Sequence, residues 1–408
     1  MLPESGISRR SVITSAAAAG VAGIARALIS MLPQLDGSAG LVRRNDFAFP
    51  ANMTYLNTAS VGPSPKEVLE KMVATWHLIE RSPVAESYAR GTERLDEIRQ
   101  KIGGLLNCDK EDIVFTGCTS DAMNRLSFAL SLQPGDHILS TDQEHDGGHN
   151  CWKFHARSHG VEVEDIPIGF DERDPRAIIS RFAQAMRPKT RAISFSHVLY
   201  TNGLRMPAAG LCDLARRRGV VSIVDGAQAV GNITVDISRI GCDAYAAPGH
   251  KWLLGPKGTG FMYVSRTAAP GLELLTRLTD TKPQNDSTGL INHMGFQGLG
   301  AAIDYVNRIG IPALERHNLR LHAYAYDRIQ SLPVEVLSPR DGSVATPLLA
   351  FKVDDKFEIP KLIPALLAEE NLVIKGLPKV GGLRLSCHLF NSEADVDRAV
   401  AILKRRLT

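Results

Sequence analysis

From residue 113 to residue 218 short apolar runs alternate with longer stretches whose apolar positions recur at helical spacing. The segments at 113–115, 137–139, 161–166 and 192–195 read as strands; 120–132, a stretch from about 148, and 208–218 read as helices. This alternation predicts a mostly parallel sheet with helices on both faces. Ahead of it, 66–79 and 86–106 have the pattern of amphipathic helices. A β-branched run, Val220, Val221, Ile223 and Val224, ends on Asp225, and Gly226, Ala227 and Gln228 follow at once. That pattern predicts a buried strand whose carboxyl end opens a site. The segment 242–247 reads as another short strand, and Pro248-Gly249-His250-Lys251 turns sharply out of it. From Pro312 the texture changes to one long helix and then short strands near 348–353, 372–374 and 383–386, with a helix on either side of the last two. The expected fold is therefore α/β, a large domain over 66–309 and a smaller α+β domain over 310–408, joined by an N-terminal segment at 46–65.

Composition narrows the function classes. At 408 residues and 44% hydrophobic, the chain can bury a sizeable core. Its net charge is +3, and the only basic runs, Arg216-Arg217-Arg218 and Lys404-Arg405-Arg406, read as solvated helix ends, so no nucleic-acid partner is expected. Six scattered cysteines without CxxC spacing signal neither a zinc site nor a disulfide framework. His145 with His149, and His155 with His159, have a spacing that suits a metal on a helix, but no third ligand completes a pattern, and no metal is expected.

Residues 1–45 read as a leader and linker. Arg9-Arg10 precedes a weakly apolar Ala/Gly segment ending near Ala25-Arg26-Ala27, which looks like a twin-arginine export signal. It implies passage through the twin-arginine export machinery and a periplasmic or otherwise exported protein, in place of a cytoplasmic one. The segment is too short for a stable membrane span.

Lys251 is expected on a turn between buried strands, where an ammonium loses solvent and its pKa falls. A neutral lysine amine condenses with aldehydes. An acid at one strand end and a lysine 26 residues on match the needs of pyridoxal 5′-phosphate: a Schiff-base lysine, and a carboxylate that keeps the pyridine nitrogen protonated. At these residues the sequence, D-G-A-Q…G-H-K-W-L-x-G-P-x-G, resembles the cofactor signature of the class V aminotransferase family of fold-type I enzymes, which includes cysteine desulfurases and isopenicillin N epimerase-like proteins. The resemblance runs from about Tyr55 to the C-terminus. It implies a seven-stranded-type, mostly parallel sheet, a homodimer, and an amino-acid or amine substrate. Lys251, Asp225 and His145 are implied as catalytic, with His145 stacked on the ring. The glycine and hydroxyls of Phe115-Thr116-Gly117-Cys118-Thr119-Ser120 suit either a helix cap or a phosphate. The resemblance assigns Cys118, Thr119 and His250 to the phosphate end, Gln228 to the ring hydroxyl, and Thr288, loosely matched, to a phosphate contact lent across a dimer interface. On the substrate side it implies Asn57, Tyr200 and Arg384, the last as a clamp for an α-carboxylate, where the residues alone would equally allow a surface salt bridge.

Departures from the pattern bear on the reaction. Desulfurases carry R-x-G-x-H-C on a mobile loop, but residues 374–382 contain no cysteine. Pro248 replaces a serine, and Tyr200 an asparagine. Aminotransferase or epimerase-like chemistry is therefore expected. A C–S lyase or desulfurase-like elimination and an exported oxidative tailoring enzyme are the alternatives, and a cofactor-binding regulatory domain is the non-enzyme one. No G-x-G-x-x-G opens a helix, which disfavours a dinucleotide enzyme.

Overall fold

The computed structural model describes residues 40–268, 271–272, 290–340 and 342–408; the expected signal at 1–39 and Thr288 lie outside the described residues. Strand β1 (Thr54–Tyr55) precedes helices α1 (Lys66–Arg81) and α2 (Arg90–Leu106). Then β2 (Ile113–Thr116) leads into α3 (Thr119–Phe128), β3 (His137–Thr141) into α4 (Asp146–His159), β4 (Glu162–Ile166) into α5 (Pro175–Ala185), and β5 (Thr190–Ser196) into α6 (Ala208–Arg217). Strand β6 (Val221–Asp225), the single turn α7 (Ile237–Ile240), β7 (Ala244–Pro248) and β8 (Gly260–Val264) follow. The C-terminal part contains α8 (His293–Ile309), α9 (Ile311–Ile329), β9 (Glu335–Val336), β10 (Leu348–Lys352), α10 (Ile359–Glu370), β11 (Leu372–Val373), β12 (Lys375–Leu377), β13 (Gly382–Ser386) and α11 (Glu393–Leu407).

Seven strands form the main sheet in the order β2-β8-β7-β6-β5-β3-β4, parallel except for β8, which runs against both neighbours. Both faces of the central strands β6 and β7 are covered, as their apolar runs predict. Along β6, Val221 and Ile223 enter one core and Val224 the other; along β7, Ala244 and Ala246 face one side and Tyr245 and Ala247 the opposite one. A third core lies between the antiparallel sheet β12-β13-β10-β9 and helices α9, α10 and α11. Strand β1 pairs in parallel with β11, so the chain segment before the main sheet is tied to the C-terminal part. The last residues of the expected linker are already packed: Leu41 N–H donates to Leu389 O, and Arg44 pairs with Asp395.

Helix α5 and strands β8 and β12 were not read from the sequence, and two further departures bear on packing. The expected helix 86–106 begins with a π turn, Ala85–Ala89, which buries the Glu86 carboxylate against Arg90 and Arg94. Helix α8 went unread because Gly295, Gly298 and Gly300 each weaken an isolated helix by about 1 kcal/mol. Here the missing side chains are what allow close packing. A Cβ on Gly298 would fall 2.6 Å from Pro256 and 2.7 Å from Met72, and one on Gly300 2.3 Å from Ile98.

Candidate active site

The carboxyl ends of β2, β3, β5, β6 and β7 converge on a cavity of about 300 Å³, the usual ligand position in an open α/β sheet. Cys118, Thr119 and Ser120 line it where β2 turns into α3. His145 enters from the start of α4, Ser196 from the last position of β5 with Val198 and Tyr200 after it, and Asp225 from the last position of β6 with Ala227 and Gln228 after it. Pro248 ends β7, and His250 and Lys251 follow it. Ala59 and Ser60 arrive from the segment after β1, and Lys375 and Arg384 from the antiparallel sheet.

Local sequence shapes this wall. A Cβ on Gly226 would sit 2.0 Å from the Tyr245 ring, so the chain leaves β6 only through glycine. A Cβ on Gly148 would fall 2.6 Å from Asp225 Oδ2, so that position too must lack a side chain for the carboxylate to hold its pose. Asp225 is 5% exposed, and its Oδ1 accepts the Ala227 N–H at 2.8 Å. Burial raises its pKa, against the Ala227 N–H and the Lys251 ammonium, which favour the carboxylate. At Lys251 burial dominates and lowers the pKa to about 8, with Asp225 opposing. About a tenth of such amines are neutral at pH 7, against fewer than about one in a thousand ordinary lysines.

His145 caps α4, and its Nδ1 accepts the Gly147 N–H at 3.0 Å. The neutral ring therefore carries its proton on Nε2. One edge of the ring is open, yet burial on its other sides, then the Lys251 ammonium, pushes its pKa down to about 4. Tyr200 packs edge-on against it, 5.0 Å between centroids. Next to it, burial pushes the Glu144 carboxyl up to about 7, although Ser196 and Thr141 donate to it.

Arg384, 2% exposed, donates Nη1–H to Tyr200 O at 2.7 Å and Nη2–H to Ser60 Oγ at 3.3 Å. Its Nε finds no partner among the described residues. Burial lowers its pKa to about 10. A surface salt bridge, the other reading of this arginine, does not describe a side chain so enclosed.

Of the residues singled out by sequence, Lys251, Asp225, His145, Cys118, Thr119, Gln228, His250, Tyr200 and Arg384 share the cavity. Asn57 does not line it: its Oδ1 accepts from Ser60 Oγ at 2.7 Å, and its backbone bridges Ser386. It supports Ser60, which is the residue that reaches the cavity and Arg384. Gln228 is held at both ends, donating to Ala59 O and accepting from Trp252 Nε1. Ser60, Ser196 and Lys375 were missed. Lys375 stood in the interval searched for a cysteine, and a lone lysine there carries no pattern. Away from the cavity, His149 bonds Ser140 and Asp165, while the facing ring nitrogens of His155 and His159 lie 3.1 Å apart.

The family model for class V aminotransferases matches residues 54–399. The chain belongs to the class V aminotransferase family. It is 28% identical to a probable cysteine desulfurase of Methanothermobacter thermautotrophicus, covering 86% of this chain and 94% of that one. It is equally similar, at 28%, to the isopenicillin N epimerase of Amycolatopsis lactamdurans, covering 88% and 97%. Over 228 residues, 56% of this chain and 55% of that one, it is 36% identical to the isopenicillin N epimerase of Streptomyces clavuligerus. Among solved structures it resembles the cystine C–S lyase C-DES in complex with cysteine persulfide, at a TM-score of 0.77 and 23% identity, covering 87% of this chain and 98% of that one. A variant of C-DES with glycine linked to the PLP cofactor gives a TM-score of 0.80 at 22% identity, covering 89% and 99%. The fold is that of fold-type I enzymes, and the class V cofactor is pyridoxal 5′-phosphate.

The residues present fit that group. Thr119 Oγ1 and His250 Nδ1 are buried polar atoms without partners among the described residues. Both lie on the cavity, where the N-terminus of α3 also favours an anion. The Gly117 N–H is not available, because Asp121 Oδ2 accepts it at 2.8 Å. Lys251 and Asp225 offer an amine and a carboxylate in the same space.

Proposed function

We propose that this class V enzyme acts at the amine-bearing α-carbon of an amino acid, with aminotransferase or epimerase-like outcome. The observation that carries the reading is Arg384, a buried guanidinium with no carboxylate partner among the described residues, across one cavity from Lys251. Such a fork binds a carboxylate through parallel N–H bonds and so fixes which carbon faces the amine. When bound, the cofactor supplies a protonated pyridine ring that accepts the electron pair released at the α-carbon. Lys251 and Asp225 would hold it at its aldehyde and ring nitrogen, and Thr119 and His250 at its phosphate. The Lys251 amine, with its pKa near 8, is suited to take and return the α-proton. His145, neutral and with its proton on Nε2, would lie against the ring and donate toward the substrate.

The desulfurase relatives favour a second reading, C–S bond cleavage by β-elimination. A persulfide on the enzyme requires a low-pKa thiolate on a movable segment. Residues 375–386 are instead built into β12, a 3-10 turn and β13, and burial pushes the Cys387 thiol up to about 12. Cys118 is fixed between β2 and α3. Purified, cofactor-loaded protein offered a panel of amino acids is expected to racemise or transaminate a member of it. With L-cysteine it should form no persulfide, and Cys387→Ser should keep activity within about twofold. A persulfide on Cys387 or on Cys118 after exposure to L-cysteine would reinstate the desulfurase reading.

Export and dimerisation belong to the same proposal. Arg9-Arg10 and the apolar segment behind them support the first, since a protein that loads its cofactor in the cytoplasm must be exported folded. An exposed apolar stripe on α1, Leu69, Val73 and Trp76 at helical spacing, supports the second, with a second copy of this chain as its partner. Fractionated cells should yield, outside the cytoplasm, a shortened protein of about twice the 44.3 kDa chain mass or slightly less by light scattering. Changing both arginines to lysine should trap full-length protein inside. Efficient export of the double-lysine variant, or a monomeric mass, removes the corresponding half.

A further inference from the structure

The cavity holds more positive charge than the cofactor chemistry uses. Lys251, Lys375 and Arg384 face it, and Asp225 is the carboxylate that answers them. Glu144 is turned to Ser196 and Thr141, and Asp146 is engaged by Lys379 at 2.6 Å and by Lys153 at 3.7 Å. Among the described residues, the Lys375 ammonium has neither an ion pair nor a hydrogen bond.

Lys375 is directly opposite Arg384 in the antiparallel pair β12–β13. Directly opposed residues project from the same face, about 4.5–5.5 Å apart at Cβ, and like charges so placed are destabilising. The strand that carries Lys375 is rigidly seated: a Cβ on the next residue, Gly376, would meet Ile359 at 2.7 Å and Ile363 at 2.9 Å. Two residues on, Leu377 is buried against Ala350, Leu337 and Tyr200. The fold therefore fixes two cations side by side, facing Tyr200 and His145, and gives neither a carboxylate partner among the described residues.

The two ends of the cavity differ in charge. The positive charges acting on His250, on the phosphate side, are Lys251 and Lys257, whereas His145 feels Lys251, Arg384 and Lys375. Lys375 thus belongs to the substrate end. Lys375 is exposed at the mouth of the cavity; partial burial, then the Arg384 guanidinium, holds its ammonium below the ordinary lysine value, and an anion arriving there would offset the repulsion between the two cations.

We propose that Lys375 forms, beside Arg384, a subsite for a second acidic group, so that the substrate class is an amino acid with an acidic side chain. This rests on the reading that Arg384 takes the α-carboxylate, and it assigns the side-chain anion to Lys375. No bond forms or breaks at this subsite; it selects and orients.

The test uses acids that lack an amine, so that it does not depend on turnover. Cofactor-loaded protein is titrated calorimetrically with succinate, glutarate and adipate, and with the monoamide of each, which keeps the shape and loses one charge. At least one diacid is expected to bind about tenfold more tightly than its monoamide, the scale of a charge-assisted hydrogen bond. In Lys375→Met that ratio should fall to within about twofold, and in Lys375→Arg it should recover. Arg384→Met should weaken diacid and monoamide alike. The bound-cofactor absorbance of each variant reports that the site is folded. Equal or absent binding of diacids and monoamides by the wild type, or an unchanged ratio in Lys375→Met, overturns the subsite. If Lys375 discriminates as expected but no amino acid is turned over, the subsite stands and the proposed reaction falls.

Discussion

Lys251→Ala is expected to abolish turnover, by about 10⁴-fold, the upper end for loss of a positioned general base, and to remove the absorbance band of the lysine-linked cofactor. On the proposed reading the same amine has two tasks, to hold the cofactor and to move a proton, and both need it unprotonated. Its surroundings provide for this. Burial lowers its pKa to about 8, and Asp225, the opposing influence, keeps it from falling further. The pH dependence follows with a definite sign. Cofactor capture by cofactor-free protein should speed up as pH rises toward about 8 and level off above it, because the neutral fraction of the amine grows and then saturates. In Lys251→Ala the remaining slow binding should lack that dependence. Borohydride treatment of the wild type, followed by peptide mass analysis, should place the added mass on the peptide containing Lys251. Label on any other lysine, or a variant that keeps its band, would break the assignment.

How much of this was readable in advance depends on what each feature needs. The central strands of the main sheet were legible because they are buried on both faces and appear as apolar runs, as at Val220 to Val224, whereas edge strand β4 is largely exposed and polar and β8 was not read as a strand. Asp225 and Lys251 were legible for the same reason, since a charged residue at the end of such a run has few places to go but a site. Other features depend on contacts distant in sequence. Helix α8 is made possible by Pro256, Met72 and Ile98, which its glycines approach and which no local pattern reveals. The π turn at Ala85–Ala89 is stabilised by Glu86 with Arg90 and Arg94, charges that a helical pattern accommodates equally well. Asn57 was assigned to the substrate through its motif, but the chain turns it onto Ser60. Lys375 was passed over because its importance lies in being opposite Arg384, and strand register between three-residue β12 and β13 cannot be read from a sequence of that length.

Asp225→Asn should separate the stability of the protein from the function of the site. In the folded chain burial raises the Asp225 pKa above its unfolded value. The sign is therefore unfavourable for the ionised form: the cost is absent below the unfolded value near 3.9, grows as pH rises through the folded value, and is fully present above it. Cofactor-free Asp225→Asn, which has no charge to bury, should melt at or above the wild-type temperature at pH 7, and the difference should vanish in acid. With the cofactor bound the order should invert. A protonated ring nitrogen beside the carboxylate forms a buried pair, and removing one partner of such a pair costs about 3–5 kcal/mol. That corresponds to roughly 10²- to 10⁴-fold weaker cofactor retention. Turnover in fully loaded enzyme should drop by about 10²–10³-fold, the scale for losing one preorganised electrostatic partner. Melting curves of both forms across pH, beside single-turnover rates, decide the matter. A variant that loses stability without the cofactor but keeps its rate would mean that Asp225 serves the fold through its Ala227 bond and has no part in the chemistry.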